Sequence, residues 1–314
     1  MIFHLEVAMK KVLITGGTTF VSRYAAEYYI AKGYRVSVLN RNTKPQPAGV
    51  TLIQADRHAL GTVLQDQHFD VIFDITAYTG DDINGLLDAV GSFDDYIMVS
   101  SSAVYPDYLP QPFTEDTPTG PNRFWGKYGT DKIAAEEVLL QRVPQAYILR
   151  PPYLYGPMNN VYRESFVFDC ALWRRPFYLP GDGSMPLQFF HVEDLCRFMD
   201  VLLEKKPEKH IFNVGNQETV SVLEWVRLCY TVAGVPLETV NVRKDIDQRN
   251  YFSFYNYAYW LDVALQEQLM PSTKPLSVGL KEALEWYVSN QQEVKKKPYF
   301  DYIDRQLTGK NAAK

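Results

Sequence analysis

The sequence is short of cysteine, of excess basic charge and of long apolar runs, and each shortage closes a class of function. The three cysteines in 314 residues, Cys170, Cys196 and Cys229, form no Cys-x-x-Cys pair. An odd, widely spaced set fits buried, unreactive thiols in a reducing compartment rather than a disulfide framework. A formal net charge of −5 offers no field for a phosphate backbone or an anionic bilayer, so neither nucleic acid nor membrane is an expected partner. No run approaches the roughly 20 apolar residues that span a bilayer. Met1 to Met9, with Glu6 among them, lack a signal-peptide pattern, and a cytoplasmic protein is expected. The five histidines are scattered and there is no His-Glu-x-x-His, Cys/His cluster or carboxylate triad, so no metal is expected. No internal repeat is found.

What is present is ordinary globular composition, 46% hydrophobic and 22% charged, in a chain long enough for one large α/β domain and a smaller one. The first half alternates β-rich runs at Lys11–Thr15, Arg35–Leu39, Thr51–Gln54, Val71–Ile75, Tyr96–Ser100 and Ala146–Leu149 with helical stretches at Val21–Lys32, Ile83–Val90 and Tyr128–Gln141. In the last of these, Ile133, Val138 and Leu139 can point one way. This rhythm predicts a doubly wound parallel sheet. After Arg150 it breaks into Pro151-Pro152, Tyr155-Gly156-Pro157 and Pro180-Gly181-Asp182-Gly183, where a second lobe is placed. Helix-like Val192–Glu204 and strand-like His210–Val214 read as returning to the main sheet. The expected division is 9–165 with 188–216 for the sheet domain, 166–187 and 217–292 for a substrate lobe, and 293–314 for a tail that includes Lys295-Lys296-Lys297. Tyr251–Trp260 packs seven aromatics into ten residues, a density that fits packing between lobes better than a sugar pocket or a partner surface.

The first βα unit, Val12-Leu13-Ile14-Thr15-Gly16-Gly17-Thr18-Thr19-Phe20-Val21-Ser22, is a buried strand, a small-residue turn and a helix start. That is the place for a dinucleotide pyrophosphate. Glycine permits the tight turn and close backbone approach, and the helix N-terminus offers free N–H groups and a positive dipole end. Gly16, Gly17, Thr18, Thr19, Phe20 and Val21 are the candidate residues. The second strand ends in Asn40 and Arg41 without the Asp or Glu that would bond an NAD ribose. Arg41 suits a 2′-phosphate, and equally a stack on adenine or a solvated position, so NAD and NADP both remain open.

Tyr128-Gly129-Thr130-Asp131-Lys132 sets a phenol and an ammonium four residues apart, on one face of a helix. A nearby cation favours the phenolate, which would let Tyr128 exchange a proton with a substrate hydroxyl near neutral pH. Upstream, Ile97-Met98-Val99-Ser100-Ser101-Ser102-Ala103-Val104-Tyr105 is a buried strand delivering three hydroxyls at its end.

The glycine turn, the strand-end serines, Tyr-x-x-x-Lys and Leu149-Arg150-Pro151-Pro152-Tyr153-Leu154-Tyr155-Gly156-Pro157 come in the order and spacing of the extended short-chain dehydrogenases. Over nearly its whole length the chain resembles the NAD-dependent epimerase/dehydratase family of that superfamily, in a subset whose turn reads Gly-Gly-Thr-x-Phe-Ile-Gly. The resemblance implies a Rossmann-type sheet with a smaller, sequence-interleaved C-terminal substrate lobe and an NAD- or NADP-dependent enzyme. It implies Tyr128 as acid/base, Lys132 as the residue that holds the nicotinamide ribose and lowers the Tyr128 pKa, and Ser101 as the group orienting the substrate hydroxyl, with Ser100 and Ser102 as alternatives. Asp56 resembles the acid that contacts the adenine amino group, and equally an ordinary turn carboxylate. Ser101, Ser102, Tyr128, Tyr155 and Arg249 are the candidate substrate contacts. His191 and Asp194, in a motif that starts a helix, read as structural caps.

Three departures carry weight. Ser22 replaces a glycine that packs helix on strand. Leu187 stands where sugar-nucleotide epimerases have an arginine, with Arg249 or Arg243 as substitutes if a nucleotide diphosphate is bound. Ser102 and Ala103 stand where 4,6-dehydratases carry Asp-Glu, and no carboxylate lies between Asp95 and Asp107, so dehydration is not expected. The expected activity is epimerisation of a sugar or nucleotide sugar through transient oxidation of a hydroxyl. The alternatives are an NADPH-dependent keto-sugar reductase and a non-enzymatic RNA-associated protein, since some relatives with this turn resemble chloroplast RNA-binding proteins. The identity of the sugar and the oligomeric state, a homodimer included, are left open.

Overall fold

The computed structural model describes residues 9–308. Residues 1–8, which carry most of the segment read for a signal peptide, and 309–314, the end of the expected tail, lie outside them. In chain order the strands are β1 (Lys11–Thr15), β2 (Arg35–Asn40), β3 (Thr51–Gln54), β4 (His68–Asp74), β5 (Ser92–Val99), β6 (Tyr147–Arg150), β7 (Tyr153–Tyr155), β8 (Phe177–Pro180), β9 (Pro186–Leu187), β10 (Phe189–His191), β11 (Ile211–Asn213), β12 (Val220–Ser221) and β13 (Thr239–Val242). The helices are α1 (Phe20–Ala31), α2 (Gly80–Ala89), α3 (Lys127–Arg142), α4 (Glu164–Leu172), α5 (Val192–Lys205), α6 (Val222–Val232), α7 (Ala264–Leu269), α8 (Leu276–Ser289) and α9 (Tyr299–Tyr302).

Seven strands form one sheet in the order β11-β6-β5-β4-β1-β2-β3, parallel from β6 to β3. β1, β2, β4 and β5 each contain four consecutive buried residues, as strands covered on both faces must. From β1 the chain moves outward to β2 and β3, then returns to β4 on the other side of β1. In such a sheet a ligand crevice opens at the strands' carboxyl ends where the order reverses. Helix α3 turns Gly129, Lys132, Ala135, Glu136 and Leu139 inward. Of the three residues expected on that face only Leu139 is fully buried; Ile133 and Val138 are half-buried, because a lysine and a glutamate take the space between them.

The chain divides into two compact units that interleave in sequence. One comprises Met1–Pro106, Pro118–Pro151 and Cys196–Phe212, the other Asp107–Thr117, Pro152–Leu195 and Asn213–Lys314. The second unit therefore takes in Asp107–Thr117, expected in the sheet domain, and after β6 the chain re-enters it at Pro152 rather than 166, since β7 pairs with β10 and not with the large sheet. It also claims the carboxyl-terminal segment read as a solvated tail. There Tyr299, Ile303 and Leu307 are buried in its core, and Lys296 Nζ donates to the buried Asp169 at 2.9 Å. The aromatic segment is packed inside this same unit: Tyr251, Phe252, Phe254, Tyr257 and Tyr259 are buried, and Trp225 meets Phe254 with ring centres 5.2 Å apart. All three cysteines are buried and unbridged. Among the described residues no helix is long and apolar enough to cross a membrane.

Candidate active site

The turn after β1 is built around missing side chains. Gly16 and Gly17 sit at φ +93° and +94°, where a β-carbon is strained. A β-carbon on Gly16 would lie 2.8 Å from Ser22 Oγ, and that hydroxyl donates to the Thr19 carbonyl at 2.9 Å. Ser22 thus fills the room beside Gly16, and helix packs on strand without the expected glycine. No side chain caps α1 and its first turn carries no acid, so its leading N–H groups face the turn unopposed. This cradle fits a pyrophosphate.

Beside it lies a cavity of about 400 Å3 whose wall includes Gly16, Asn40, Arg41, Asp56, Arg57, His58, Thr76, Tyr78 and Asp82. Four sequence candidates, Gly16, Asn40, Arg41 and Asp56, meet there, while Thr18, Thr19, Phe20 and Val21 form the adjoining turn and start of α1. Asp56 Oδ1 accepts from the His58 N–H at 3.0 Å, which fixes that carboxylate at the end of β3.

Under the cavity is a charged layer that the sequence pattern hides. Asp74, fully buried at the end of β4, accepts from Thr15 Oγ1 at 2.7 Å, Tyr96 Oη at 2.6 Å and both terminal nitrogens of Arg57 at 3.1 and 3.0 Å. Burial alone would raise the Asp74 pKa, but the Arg57 charge and these bonds outweigh it and hold the carboxyl below its usual range. Arg57 also donates to Thr76 Oγ1 and to the Asp82 carbonyl, both at 3.0 Å. Asp82 in turn caps α2, accepting from the Tyr78 and Thr79 N–H groups at 2.9 Å. One guanidinium therefore pins the segment after β3, the end of β4 and the start of α2. An acid closing an apolar strand, Val71-Ile72-Phe73-Asp74, was the signal available for it.

The second cluster sits on α3. Gly129 lets the helix approach the turn after β5, since a β-carbon there would lie 2.4 Å from the Ala103 carbonyl oxygen. The approach brings Tyr128 to Ser101. Ser101 Oγ accepts from the Ala103 N–H at 3.1 Å, and its hydroxyl lies close enough to the Tyr128 phenol to favour the phenolate. Ser100 instead donates to Glu136 Oε1, and Ser102 is buried in the following turn. Of the three strand-end hydroxyls, Ser101 is the one on Tyr128.

Lys132 is buried on the same helix face, donating to the Ala77 carbonyl at 2.6 Å and the Val99 carbonyl at 2.9 Å, with the Tyr78 ring 5.0 Å away. Burial pushes its pKa down to about 8. The expectation that Lys132 lowers the Tyr128 pKa is corrected here: burial raises the phenol, the neighbouring Tyr78 adds to the rise, and only the Ser101 hydroxyl opposes it. The ammonium is turned to carbonyls rather than toward the phenol. Tyr78, 50% exposed and 6.3 Å from Tyr128 between ring centres, joins this cluster to the cavity and was not read from the sequence. Neither was Glu136, one helical turn past Lys132, which forms a buried pair with Arg150 at 2.5 Å while Arg150 Nη1 donates to Tyr105 Oη at 2.9 Å.

Two candidates fall in the second unit. Tyr155, taken as a substrate contact, is wholly buried with its ring edge-on to Phe189 and His191, so it serves packing. Arg249 donates to the Ser253 carbonyl and lies 4.4 Å from the Tyr255 ring, which ties it to its own loop. Arg243 pairs with Asp245 at 2.6 Å, and Leu187 is buried. His191 Nδ1 accepts from the Glu193 N–H at 3.2 Å, the bond of a helix cap, whereas Asp194 accepts from the Lys274 N–H at 2.6 Å, a bond that ties α5 to the segment before α8 rather than a cap of its own helix.

Comparison with known proteins places this architecture. The sequence profile of the NAD dependent epimerase/dehydratase family matches residues 12–215. The chloroplast stem-loop binding protein of 41 kDa b from Arabidopsis thaliana is 29% identical over 248 residues, 72% of this chain and 64% of that protein. The chain thus spans just under two thirds of that relative's length. A UDP-glucose 4-epimerase from Corynebacterium glutamicum is 25% identical over 271 residues, 72% of this chain and 82% of that one. The fold matches the crystal structure of a UDP-glucuronic acid 4-epimerase from Bacillus cereus in complex with UDP-glucuronic acid and NAD, with a TM-score of 0.69 and 20% identity over 89% of this chain and 99% of that one.

Proposed function

Because the chain belongs to the NAD dependent epimerase/dehydratase family, we propose that it is an NAD(P)-dependent enzyme that epimerises a sugar or nucleotide sugar through transient oxidation of a hydroxyl. One observation carries the reading: Ser101 stands beside the Tyr128 phenol, with Lys132 on the same helix face, next to a cavity whose wall includes the turn glycine Gly16. Gly16 to Val21 would hold the pyrophosphate, the ends of β2 and β3 the adenosine, and Lys132 the ribose at the reacting end. A bound dinucleotide supplies a reversible hydride acceptor.

The chain supplies the rest. Ser101 holds the substrate hydroxyl by its oxygen, and the proton of that hydroxyl passes to Tyr128 Oη and returns from it. Because the phenol stands above its usual range and Lys132 keeps its charge only below about pH 8, proton exchange is favoured on the alkaline side of neutrality. Ser102 and Ala103 lie buried in the turn after β5 and bring no carboxylate, so loss of water is not part of the reaction.

The test is incubation with UDP-, GDP- and dTDP-hexoses, with products followed by NMR and bound cofactor identified by mass spectrometry after denaturation. An epimer formed without stoichiometric release of oxidised cofactor supports the reading. Release of one oxidised cofactor per turnover replaces it with keto-sugar reduction. Likeness to a stem-loop binding protein favours a second reading, RNA binding, against which the net charge of −5 counts. A salt-sensitive shift of a stem-loop RNA, with no bound dinucleotide, would establish that one instead.

A further inference from the structure

We infer that the cavity selects the 2′-phosphorylated dinucleotide over the unphosphorylated one, with Arg41 as the specificity-determining residue and Lys44 as its second cation. The inference rests on the dinucleotide reading above and concerns the wall at the end of β2.

A site that selects the unphosphorylated cofactor places an acceptor there for the free 2′-hydroxyl of the adenosine ribose. Asn40 occupies that position and has nothing left to offer. Its Nδ2 donates to the Gly16 carbonyl at 2.6 Å and to Gln46 Oε1 at 3.0 Å, and its Oδ1 accepts from the Asn42 N–H at 2.8 Å and from Gln46 Nε2 at 3.2 Å. Those four bonds exhaust a carboxamide's two N–H groups and two lone pairs. No carboxylate occurs between Leu39 and Asp56, and Asp56 stands at the end of the next strand with one oxygen engaged by His58.

What the β2 end offers is positive charge. Arg41 lines the cavity, is exposed, and makes no hydrogen bond or ion pair among the described residues. Lys44, also exposed, reaches to within 3.2 Å of Thr19 Oγ1 at the start of α1. The two cations thus flank the space between the β2 end and the pyrophosphate turn. Arg57, the other guanidinium on the cavity, is committed to Asp74, Thr76 and Asp82 and cannot turn to a ligand. A free guanidinium matches a phosphate dianion through paired charge-assisted bonds, whereas a ribose diol gives it little to hold.

The experiment is a fluorescence titration of the purified chain with NADPH and with NADH, and displacement of each by 2′,5′-ADP and by 5′-AMP. NADPH should bind at least roughly tenfold more tightly, with 2′,5′-ADP the better competitor. Arg41→Ala, at an exposed and unpartnered position, should keep the wild-type melting curve and the NADH affinity while removing most of the NADPH advantage; Lys44→Ala should remove less. NADH binding as tightly as NADPH to the unaltered chain overturns the inference and leaves the dinucleotide reading intact. Failure of both to bind overturns that reading and the inference with it. An unchanged preference in Arg41→Ala overturns the role given to Arg41.

Discussion

In the unit built on the large sheet, Asp74 with Arg57 and Glu136 with Arg150 are ion pairs sunk beneath the strand ends. In the second unit the core is a stack of rings around Trp225, where Phe189, Phe252 and Phe254 pack, and the buried Asp169 is met by the phenols of Tyr162 and Tyr287 and the ammonium of Lys296. The two solutions do different work. A guanidinium that bonds three chain segments at once fixes their backbones relative to one another, as Arg57 does under the cavity and Arg150 does beside Ser100 and α3. Rings fill volume and exclude water without dictating one arrangement of strand ends. The candidate catalytic residues lie over the charged layer, where small displacements matter most.

The largest expected effect tests this contrast directly. Arg57→Ala leaves the Asp74 carboxylate buried and unpaired and should cost about 3–5 kcal/mol in urea unfolding, together with cofactor affinity. The paired replacement Arg57→Met with Asp74→Leu should recover most of the stability but not the affinity. A single-variant loss below about 1 kcal/mol would mean that the charged layer is incidental. Tyr287→Phe makes the corresponding cut in the second unit, removing one phenol from Asp169, which keeps Tyr162 and Lys296. The same unfolding measurement should show a loss of about 1 kcal/mol, and a loss as large as that of Arg57→Ala would erase the distinction.

A smaller effect separates the units by pH. In the second, burial, with Lys274 nearby, pushes the His191 pKa down to about 3, so between that value and the ordinary range near 6.5 only the unfolded chain takes up the proton. Stability should therefore fall as the pH drops below about 6.5, by at most about 1.4 kcal/mol per pH unit. In the first, Lys132, pushed down to about 8, sheds its proton in the folded state before the unfolded chain does, so stability should rise between about pH 8 and 10.4. His191→Gln should flatten only the acid limb of a melting series and Lys132→Met only the alkaline one. If either variant flattened both limbs, the assignment of one limb to each unit would fail.

The sequence made the architecture legible where pattern and burial agree. β1 and β3 lie where the apolar runs put them, while the stretch that rejoins the first unit is Cys196–Phe212, shorter than the expected 188–216 and leaving the first turn of α5 and Asn213 of β11 in the second unit. β4 and β5 begin earlier than expected because His68 to Asp70 and Ser92 to Asp95 pair through their backbones, which side-chain pattern does not report. In the site, the glycine turn and the four-residue spacing of Tyr128 and Lys132 stand in the sequence itself, whereas only the family resemblance singles out Ser101 from its neighbours Ser100 and Ser102. The supports beneath them could not be read there, because a lysine and a glutamate on a helix, like an arginine after a strand, ordinarily face water. Only the fold reveals that Lys132, Glu136 and Arg57 turn inward. The carboxyl-terminal segment misled for the same reason: three consecutive lysines conceal the buried Tyr299, Ile303 and Leu307 that follow.

The most direct test of the account is Tyr128→Phe, assayed against the hexose nucleotide the unaltered chain converts and titrated with the dinucleotide it binds. The substitution removes one oxygen from a residue outside the phosphate turn. Turnover should fall by roughly a hundredfold or more, with the dinucleotide dissociation constant within about twofold of the unaltered chain's. Wild-type turnover in that variant would contradict the role of Tyr128 and with it the proposed reaction.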